Sequence, residues 1–275
     1  MTGRLVLVGT PIGNLEDISA RALRALSEAD RILAEDTRHS GRLLQHFGIR
    51  TPLASWHAHN EQERLAPVLA WLDQGQQLAL ISDAGMPVIS DPGFLLVRAA
   101  REVGHRVECV PGPSALITAL ALSGLPAERF TFEGFLPAKT AARRQALDAL
   151  RQEARTVILY ESPHRLVACL EDIVHALGPE RPLCLAKELT KQFEAVHRGS
   201  AAELLAWAQE AGKEARGEFV ILIGGAPAPQ ETVALDAEQV LGLLLTELPA
   251  RKAARLTAKL CGGKANDYYR AALER

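Results

Sequence analysis

The sequence predicts an α/β fold made of two α/β domains and a small C-terminal helical module. Over residues 1–225, short β-branched runs alternate with amphipathic helical patterns, which is typical of βαβ units around a mostly parallel sheet. A segment rich in Pro and Gly follows, and residues 236–275 then carry helical patterns alone. At 275 residues, the chain is long enough for two modest domains with cores of their own.

The first half of the chain alternates strands and helices. Apolar residues from Ile18 to Ala29 recur at helical spacing, which predicts an amphipathic helix there, and the same pattern predicts a helix over residues 61–74. Short apolar runs bounded by turn residues indicate the strands. We predict them at residues 4–8, 31–34, 77–82 and 106–110.

The second half begins near residues 123–127 and contains a further series of strands. We predict these at residues 130–135, 156–160, 183–189 and 219–223. The predicted division is therefore an N-terminal α/β domain over residues 1–122 and a second α/β domain over residues 123–225. Beyond them, a stretch rich in Pro and Gly lacks any period, so we predict a linker over residues 226–235.

The C-terminal segment carries signals for three short helices. Asp236 can cap a helix that runs to about Glu247, and Pro249 can open a second helix that runs to Leu260. A Gly-rich turn at residues 261–264 leads into the last helix. These helices predict a helix-turn-helix-like domain over residues 236–275.

Charge is distributed unevenly along the chain. The net charge is −2, yet residues 249–275 hold seven basic and two acidic side chains, which gives this tail +5 and the remainder −7. A small net charge argues against a general nucleic-acid coat protein. The tail is either a solvated helical face or a surface that contacts RNA phosphates.

The cysteines and histidines suggest neither disulfides nor a metal site. No two cysteines form a CxxC pair, and His57 and His59 have no third ligand at suitable spacing. No segment resembles a signal sequence or a membrane span, so we predict a cytosolic protein without a membrane partner. We expect the cysteines to be reduced core thiols: Cys109, Cys169, Cys184 and Cys261.

Three loops rich in Gly and Pro follow predicted strands, at residues 9–15, 82–93 and 110–115. The carboxyl ends of parallel strands share one edge of a sheet, where such folds bind ligands. In the second loop, Asp83 can accept hydrogen bonds from a ligand, and in the third, Ser114 can cap a helix while facing the same crevice. The first loop is neither a GxGxxG fingerprint nor a Walker A motif. Together the loops predict a small-molecule site, although each alone can be a plain turn.

The order of the motifs resembles the class III, tetrapyrrole-methylase-like methyltransferases, and within them the bacterial 16S rRNA cytidine 2′-O-ribose methyltransferases. The resemblance covers roughly residues 5–225, and the basic helical tail is similar to the C-terminal module of that subgroup. The motifs that carry it are GTPIGNLEDIS, EDTRHSGRLL, SDAGMPVISDPG, PGPSA, FEGFLP, YESPHR, AKELTK and GEFVILIGG.

The resemblance implies that S-adenosylmethionine binds in a cleft between the two α/β domains. In the first domain, the family pattern carries over to Pro11, Asp83, Gly85, Met86, Ser114 and Ala115. In the second domain, it carries over to Tyr160, Glu161, Ala186, Lys187 and Glu218.

Methyl transfer to a ribose hydroxyl requires alignment of the hydroxyl and removal of its proton. Lys187, beside Glu188, is the first candidate for this role, because burial against a cationic ligand lowers the pKa of an amine. The alternative is an ordinary ion pair of Lys187 with Glu188 or Glu161. We take Lys187 and Glu188 as the candidate catalytic pair.

Several basic side chains are candidates for RNA contacts. Arg38 can hold a phosphate, with Asp36 orienting it, although Asp36 or Thr37 can instead cap the next helix. Arg143 and Arg165 can extend a phosphate track from the cleft, or lie on solvated helices. In the tail, the candidates are Arg251, Lys252, Arg255, Lys259 and Lys264.

The resemblance implies 2′-O-methylation of a cytidine in the decoding centre of 16S rRNA, with the rRNA or the small ribosomal subunit as partner, by a homodimeric enzyme. One alternative is a methyltransferase for tetrapyrroles or other small molecules, which uses a similar cleft but has no need of the basic tail. Another is a non-catalytic RNA-binding module.

Overall fold

A computed structural model describes residues 3–212, 217–227 and 236–274. The chain separates into two compact units, Met1–Ala226 and Pro227–Arg275. The first unit contains two five-stranded sheets, and the second contains helices. This is the predicted fold class, with α/β layers and a C-terminal helical module.

The first sheet is entirely parallel, with the strand order β3-β2-β4-β1-β5. Three of its strands have the predicted bounds, β4 is two residues shorter, and β3 escaped prediction because it has only three residues, all half-buried. The strands are β1 (Arg4–Val8), β2 (Arg31–Ala34), β3 (Leu53–Ser55), β4 (Gln77–Leu80) and β5 (Arg106–Val110). The helices of this half are α1 (Ala20–Glu28), α2 (Thr37–His46), α3 (Glu61–Asp73), α4 (Phe94–Glu102) and α5 (Ala115–Ser123).

Both faces of the first sheet are covered. Along β1, Leu5 packs into one buried cluster with α3 and α4, whereas Val6 and Val8 pack into another with α1 and α2. Alternate side chains of a strand point to opposite faces of the sheet, so a continuous run of β-branched residues and leucines contributes side chains to both clusters. This packing holds the carboxyl ends of the strands at one edge.

The second sheet is mixed, with the strand order β6-β7-β10-β8-β9. Only β6 and β7 pair in parallel, and the other neighbours are antiparallel. The prediction of a mostly parallel sheet is therefore wrong for this half. The strands are β6 (Phe130–Phe135), β7 (Thr156–Glu161), β8 (Pro182–Lys187), β9 (Ala195–Ser200) and β10 (Phe219–Ile223). The helices are α6 (Thr140–Ala149), α7 (Leu166–Leu177) and α8 (Ala201–Glu210).

Helix α5 joins the two halves. It precedes the predicted boundary at residue 123, yet Leu116, Ala119 and Leu120 pack on the second sheet, in a buried cluster with residues of β7, β8 and β10. Helices α6, α7 and α8 cover the opposite face. The boundary between residues 122 and 123 stays a prediction.

In the described part of the C-terminal unit there are three helices, α9 (Ala237–Glu247), α10 (Ala250–Cys261) and α11 (Ala265–Leu273). Asp236 caps α9 by accepting hydrogen bonds from the amides of Glu238 and Gln239, and Pro249 precedes the first turn of α10, as predicted. Its small core includes Leu241, Ala253 and Ala254. Of the predicted linker, residues 228–235 lie outside the described residues.

The cysteines are all unpaired, but they are not all core residues. Cys169 and Cys184 are buried, Cys261 is half-buried and Cys109 is exposed. The prediction of a core thiol is wrong for Cys109, because β5 is the edge strand of its sheet and this side chain faces outward. No described helix is long and apolar enough to cross a membrane.

Candidate active site

A cleft of about 350 Å³ lies in the first unit, between the loops at the carboxyl edge of the first sheet and the adjoining edge of the second. Its walls are mostly apolar. Of the eleven residues to which the family pattern of cofactor binding carries over, eight line it. These are Gly85, Met86, Ser114, Ala115, Tyr160, Glu161, Ala186 and Glu218.

Backbone pairing fixes the loop that carries Gly85 and Met86. Thr10 and Gly85 form an isolated antiparallel bridge, in which the Thr10 amide donates to the Gly85 carbonyl at 2.9 Å and the Gly85 amide donates to the Thr10 carbonyl at 3.1 Å. Gly85 has a φ of +81°, which a residue with a Cβ adopts only under strain. The bridge thus holds the first two predicted loops together at the strand ends.

The first and third loops approach each other even more closely. A Cβ on Gly9 would lie 2.7 Å from the Gly112 backbone and 2.8 Å from Met86 Sδ. Only glycine at both positions permits this contact, and it brings Met86 beside the loop that carries Ser114.

Pro11 and Asp83 do not line the cleft. The Asp83 carboxylate accepts a hydrogen bond from the Asp36 amide at 3.2 Å, so it links the loops after β4 and β2. Ile12, the neighbour of Pro11, lines the cleft instead. Asp83 thus holds the loop, and its direct contact with a ligand stays a prediction.

Ser114 occupies the N-cap position of α5, but its side chain makes no capping hydrogen bond. The expectation that its hydroxyl both caps the helix and faces the crevice is wrong in its first part. The side chain lines the cleft, which leaves the hydroxyl free to meet a ligand.

Aromatic residues form the wall contributed by the second sheet. The ring of Tyr160 lies 4.9 Å from that of Phe132 and 5.6 Å from that of Phe135, in edge-to-face arrangements. Burial raises the pKa of the Tyr160 phenol, so it is neutral at ordinary pH. Phe135 was missed by the sequence analysis, although it stands in the FEGFLP motif.

Glu161 places a negative charge at the base of this wall. Its side chain is 1% exposed, and Oε1 accepts a hydrogen bond from the Ser162 amide at 2.8 Å and pairs with Arg165 Nε at 3.2 Å. Oε2 is buried without a hydrogen bond to any described nitrogen or oxygen. Arg165 also donates to the Leu136 carbonyl at 2.6 Å, so its guanidinium is largely occupied; its RNA contact stays a prediction.

The proposed catalytic pair lies outside the cleft lining. Lys187 follows Ala186 in β8, and because successive side chains of a strand point to opposite faces, it points away from the face on which Ala186 lines the cleft. The Glu188 carboxylate accepts hydrogen bonds from Lys191 Nζ at 3.0 Å and from the Glu218 amide at 2.9 Å. Glu188 therefore holds a turn, and its catalytic role stays a prediction.

The structure contradicts an RNA contact for Arg143. Its side chain is 4% exposed and pairs with Asp172, itself 2% exposed, with Nε donating at 2.7 Å. It also donates to the Ala138 carbonyl at 3.1 Å. A guanidinium whose donors are used inside the protein has none to offer a phosphate.

Arg38 is placed as an RNA contact requires, with its side chain 90% exposed beside Asp36 at 3.5 Å. Asp36 itself caps α2, accepting hydrogen bonds from the amides of Arg38 at 2.8 Å and His39 at 3.3 Å. These bonds lower the pKa of Asp36. The capping alternative for Asp36 is thus confirmed, and the phosphate contact of Arg38 stays a prediction.

Four of the five basic candidates in the tail lie on one side of α10. They line a hollow of about 380 Å³ together with Pro249 and Leu256. The opposite face of the helix is buried through Ala253, Ala254 and Thr257. The basic residues of the hollow are Arg251, Lys252, Arg255 and Lys259, whereas the exposed Lys264 lies outside it, at the start of α11.

The cleft suits a molecule with an apolar ring and a cationic group. A Cβ on Gly85 would meet Ile12 at 3.2 Å and the Pro113 carbonyl at 3.3 Å, so the backbone there leaves no room for a side chain. The carboxylate of Glu161 in the lining favours a cation or a donor. S-adenosylmethionine has both features, so the cleft fits the cofactor that the resemblance to the class III methyltransferases implies.

Comparison with known proteins agrees with this class. Residues 4–205 match the model of the tetrapyrrole (corrin/porphyrin) methylases, and the chain belongs to that family. Residues 231–275 match the C-terminal helix-turn-helix domain of RsmI.

Among its relatives, the chain is 53% identical to the ribosomal RNA small subunit methyltransferase I of Escherichia coli O157:H7 over 272 residues, 99% of this chain and 95% of that protein. Among solved structures, it is similar to uroporphyrin-III-C-methyltransferase from Thermus thermophilus, with 25% identity, a TM-score of 0.56, and coverage of 81% and 94% of the two chains. A further structure of that Thermus enzyme, complexed with S-adenyl homocysteine, has 18% identity, a TM-score of 0.55, and coverage of 81% and 97%.

Proposed function

We propose that this methyltransferase transfers the methyl group of S-adenosylmethionine to the 2′-hydroxyl of a cytidine ribose in 16S rRNA. The main observation behind this proposal is that eight of the eleven residues to which the cofactor pattern carries over, from separate parts of the sequence, line one cleft. The relatives that match along the whole chain, named as small-subunit rRNA methyltransferases, support rRNA as the substrate.

Residues from both sheets hold the cofactor in this proposal. The Gly85–Met86 and Ser114–Ala115 backbones approach it from the first sheet, and Tyr160 supplies an aromatic wall. The carboxylate of Glu161, which lines the cleft, balances its positive charge. Bound S-adenosylmethionine supplies an electrophilic methyl group, while the protein orients the hydroxyl and excludes water.

The RNA contacts lie at Arg38 and along α10. Four basic side chains on one side of a helix make a surface that phosphates recognise without reading sequence. A porphyrinoid methyltransferase shares the cofactor cleft but has no use for such a surface, so the basic side of α10 favours RNA over the tetrapyrrole alternative. A non-catalytic RNA-binding module would not need the cofactor cleft.

The test combines a measurement of cofactor binding with identification of the methylated product. Isothermal titration with S-adenosylmethionine should give one site per chain. Incubation of small ribosomal subunits and naked 16S rRNA with methyl-labelled cofactor, followed by nuclease digestion and mass spectrometry, should place the methyl group on a cytidine ribose. A methyl group on a base, transfer only to a porphyrinoid, or binding without transfer would contradict the proposal.

A further inference from the structure

The loop between β4 and α4 forms a wall of the cleft through Ile89, Ser90 and Asp91. Val88 and Ser90 both have left-handed backbones, with φ of +78° and +65°. Such conformations are costly outside glycine and persist only where the surrounding structure enforces them. This segment is therefore held in one shape, with Asp91 at the cleft.

A half-buried carboxylate anchors the end of the same loop. Glu61 Oε1 accepts a hydrogen bond from the Gly93 amide at 2.5 Å and another from Trp56 Nε1 at 3.1 Å, and Trp56 is fully buried. Because Glu61 lies on α3 and is itself held by Trp56, packing outside the loop fixes the end of the segment that carries Asp91.

Among the described residues, four titratable side chains line the cleft, and three of them are unsuited to accept a proton. Oε1 of Glu161 accepts a hydrogen bond from the Ser162 amide and forms an ion pair with Arg165, and the carboxylate is placed to balance a cation. Glu218 is 79% exposed and pairs with Lys191 at 3.2 Å. The pKa of Tyr160 is raised, so its phenol keeps its proton. Asp91 is the fourth.

The surroundings of Asp91 make its carboxylate more basic than usual. Burial, and then the negative charges of Glu35 and Asp83, raise its pKa to about 6, against a hydrogen bond from Ser82. Tyr160 also faces it, and no ion pair joins it to a cation within the part of the chain that is described. A carboxylate that titrates near neutrality is both ionised and an effective proton acceptor.

We propose that Asp91 is the general base that removes the proton of the ribose 2′-hydroxyl. The proposal rests on the proposed function. The hydroxyl proton passes to an Asp91 oxygen, the hydroxyl oxygen bonds to the methyl carbon, and the electron pair of the broken sulfur–carbon bond stays on sulfur. The positive charge of the sulfonium is thereby discharged as the carboxylate takes up the proton, and no further reactant is needed.

The first test replaces Asp91 in the full-length chain. Asp91→Asn keeps the shape of the side chain but cannot accept the proton, so kcat should fall by about 10²- to 10⁴-fold. Titration with S-adenosylhomocysteine should give an unchanged Kd, and Asp91→Glu should recover part of the rate. The matched control is Asp148→Asn, which removes an exposed carboxylate on α6 and should leave both quantities unchanged.

The second test uses the pH dependence of methyl transfer. The base acts when ionised, so kcat/KM of the wild-type protein, which reports the pKa of the free enzyme, should rise through about pH 6 and level off above it. Glu35→Gln removes a negative charge that raises the Asp91 pKa, so this limb should move to lower pH. The Asp91 carboxyl, followed by carbon-13 NMR in the cofactor-free protein, should titrate at the same pH as the limb.

Several results would overturn the assignment. If the wild-type protein methylates the ribose and Asp91→Asn retains its rate, Asp91 is not the base. If Asp91→Asn loses affinity for S-adenosylhomocysteine in step with its rate, the residue is a cofactor ligand. If Glu35→Gln leaves the acidic limb of the pH–rate profile at the same pH, that result also contradicts the assignment of Asp91 as the base. If the wild-type protein methylates no ribose at all, the proposed function itself has failed.

Discussion

Arg143 illustrates at the residue scale how burial changes the role of a charged side chain. Its charge suggested a phosphate contact, but the guanidinium is 4% exposed and faces Asp172. Arg144 reaches the other oxygen of the same carboxylate at 2.6 Å, although it is 44% exposed. The two arginines hold that carboxylate in its ionised form and lower its pKa against the effect of burial.

Arg143→Ala should therefore destabilise the protein without acting on RNA. Breaking a buried ion pair from one side costs about 3 to 5 kcal/mol, and the lower end is expected because Arg144 remains. Chemical denaturation measures the free energy of unfolding, and Arg144→Ala, on the exposed side, should cost only about 1 kcal/mol. If Arg143→Ala is as stable as the wild-type protein but binds RNA more weakly, the hypothesis that Arg143 contacts an RNA phosphate is supported after all.

Gly9 is a second position at which the residue itself decides the geometry of the cleft. Gly9→Ala places a Cβ 2.7 Å from the Gly112 backbone, so the loops must separate and Met86 must shift. We expect this overpacking to cost about 1 to 3 kcal/mol of cofactor-binding free energy. Isothermal titration should show it as a loss of S-adenosylmethionine affinity of about fivefold or more.

The control for this variant is Gly41→Ala in α2. There the nearest heavy atom to the new Cβ is Leu53 Cδ1 at 3.7 Å, an ordinary contact, and alanine favours the helix. Affinity for the cofactor should be unchanged and stability slightly raised. Equal cofactor affinities for the two variants would show that the Gly9–Gly112 contact does not shape the cleft.

At the scale of the element, α10 separates its two faces clearly. Small residues are buried on one side, and four basic side chains lie on the other. A helix with this pattern packs closely against its neighbours while it presents charge to a polyanion. The same charge on a scattered surface would not align with a phosphate backbone.

Neutralising Lys252, Arg255 and Lys259 to Gln should weaken RNA binding and reduce its dependence on salt. Each lost phosphate contact lowers the slope of log K against log salt by about 0.7 for single-stranded RNA. Binding measured between low and moderate salt gives the slope, and S-adenosylmethionine affinity should not change. A matched control neutralises three exposed arginines of the first unit, Arg24, Arg64 and Arg101. Equal slopes in the two triple variants would make α10 a plain solvated helix.

At the scale of the whole molecule, α5 leaves apolar surface uncovered. Leu116, Ala119 and Leu120 pack on the second sheet, but Ile117 is 51% and Leu122 45% exposed on the same helix. Exposed apolar side chains that cluster on one element are typical of an interface. This surface supports the expectation of a homodimer, which we retain as a proposal.

Light scattering at micromolar concentration should give the mass of a dimer for the wild-type protein and of a monomer for Ile117→Lys combined with Leu122→Lys. Charged side chains at a two-fold interface appear twice, so each substitution acts on both copies. Val103→Lys, at an apolar residue that is 60% exposed beyond α4, is the control and should remain dimeric. A monomeric wild-type protein would refute the dimer.

The sequence by itself determined the local elements and the loops of the cleft. Apolar periodicity and turn residues are local signals, and they located strands such as β1, β2 and β10, the caps at Asp236 and Pro249, and the loops that meet at the cleft. Together with the resemblance, they also supplied eight cleft residues, because the backbone that forms the cleft lies beside Gly and Pro in recognisable motifs.

Only the tertiary structure decided the direction of strand pairing in the second sheet and the surroundings of single side chains. Side chains alternate with the same period in parallel and antiparallel strands. The periodicity therefore could not predict that the sheet of β6 to β10 is mixed. Whether Arg143 is buried, whether Lys187 faces the cleft, and which charges surround Asp91 depend on residues far away in the chain. Such contacts are made by packing, and no local pattern records them.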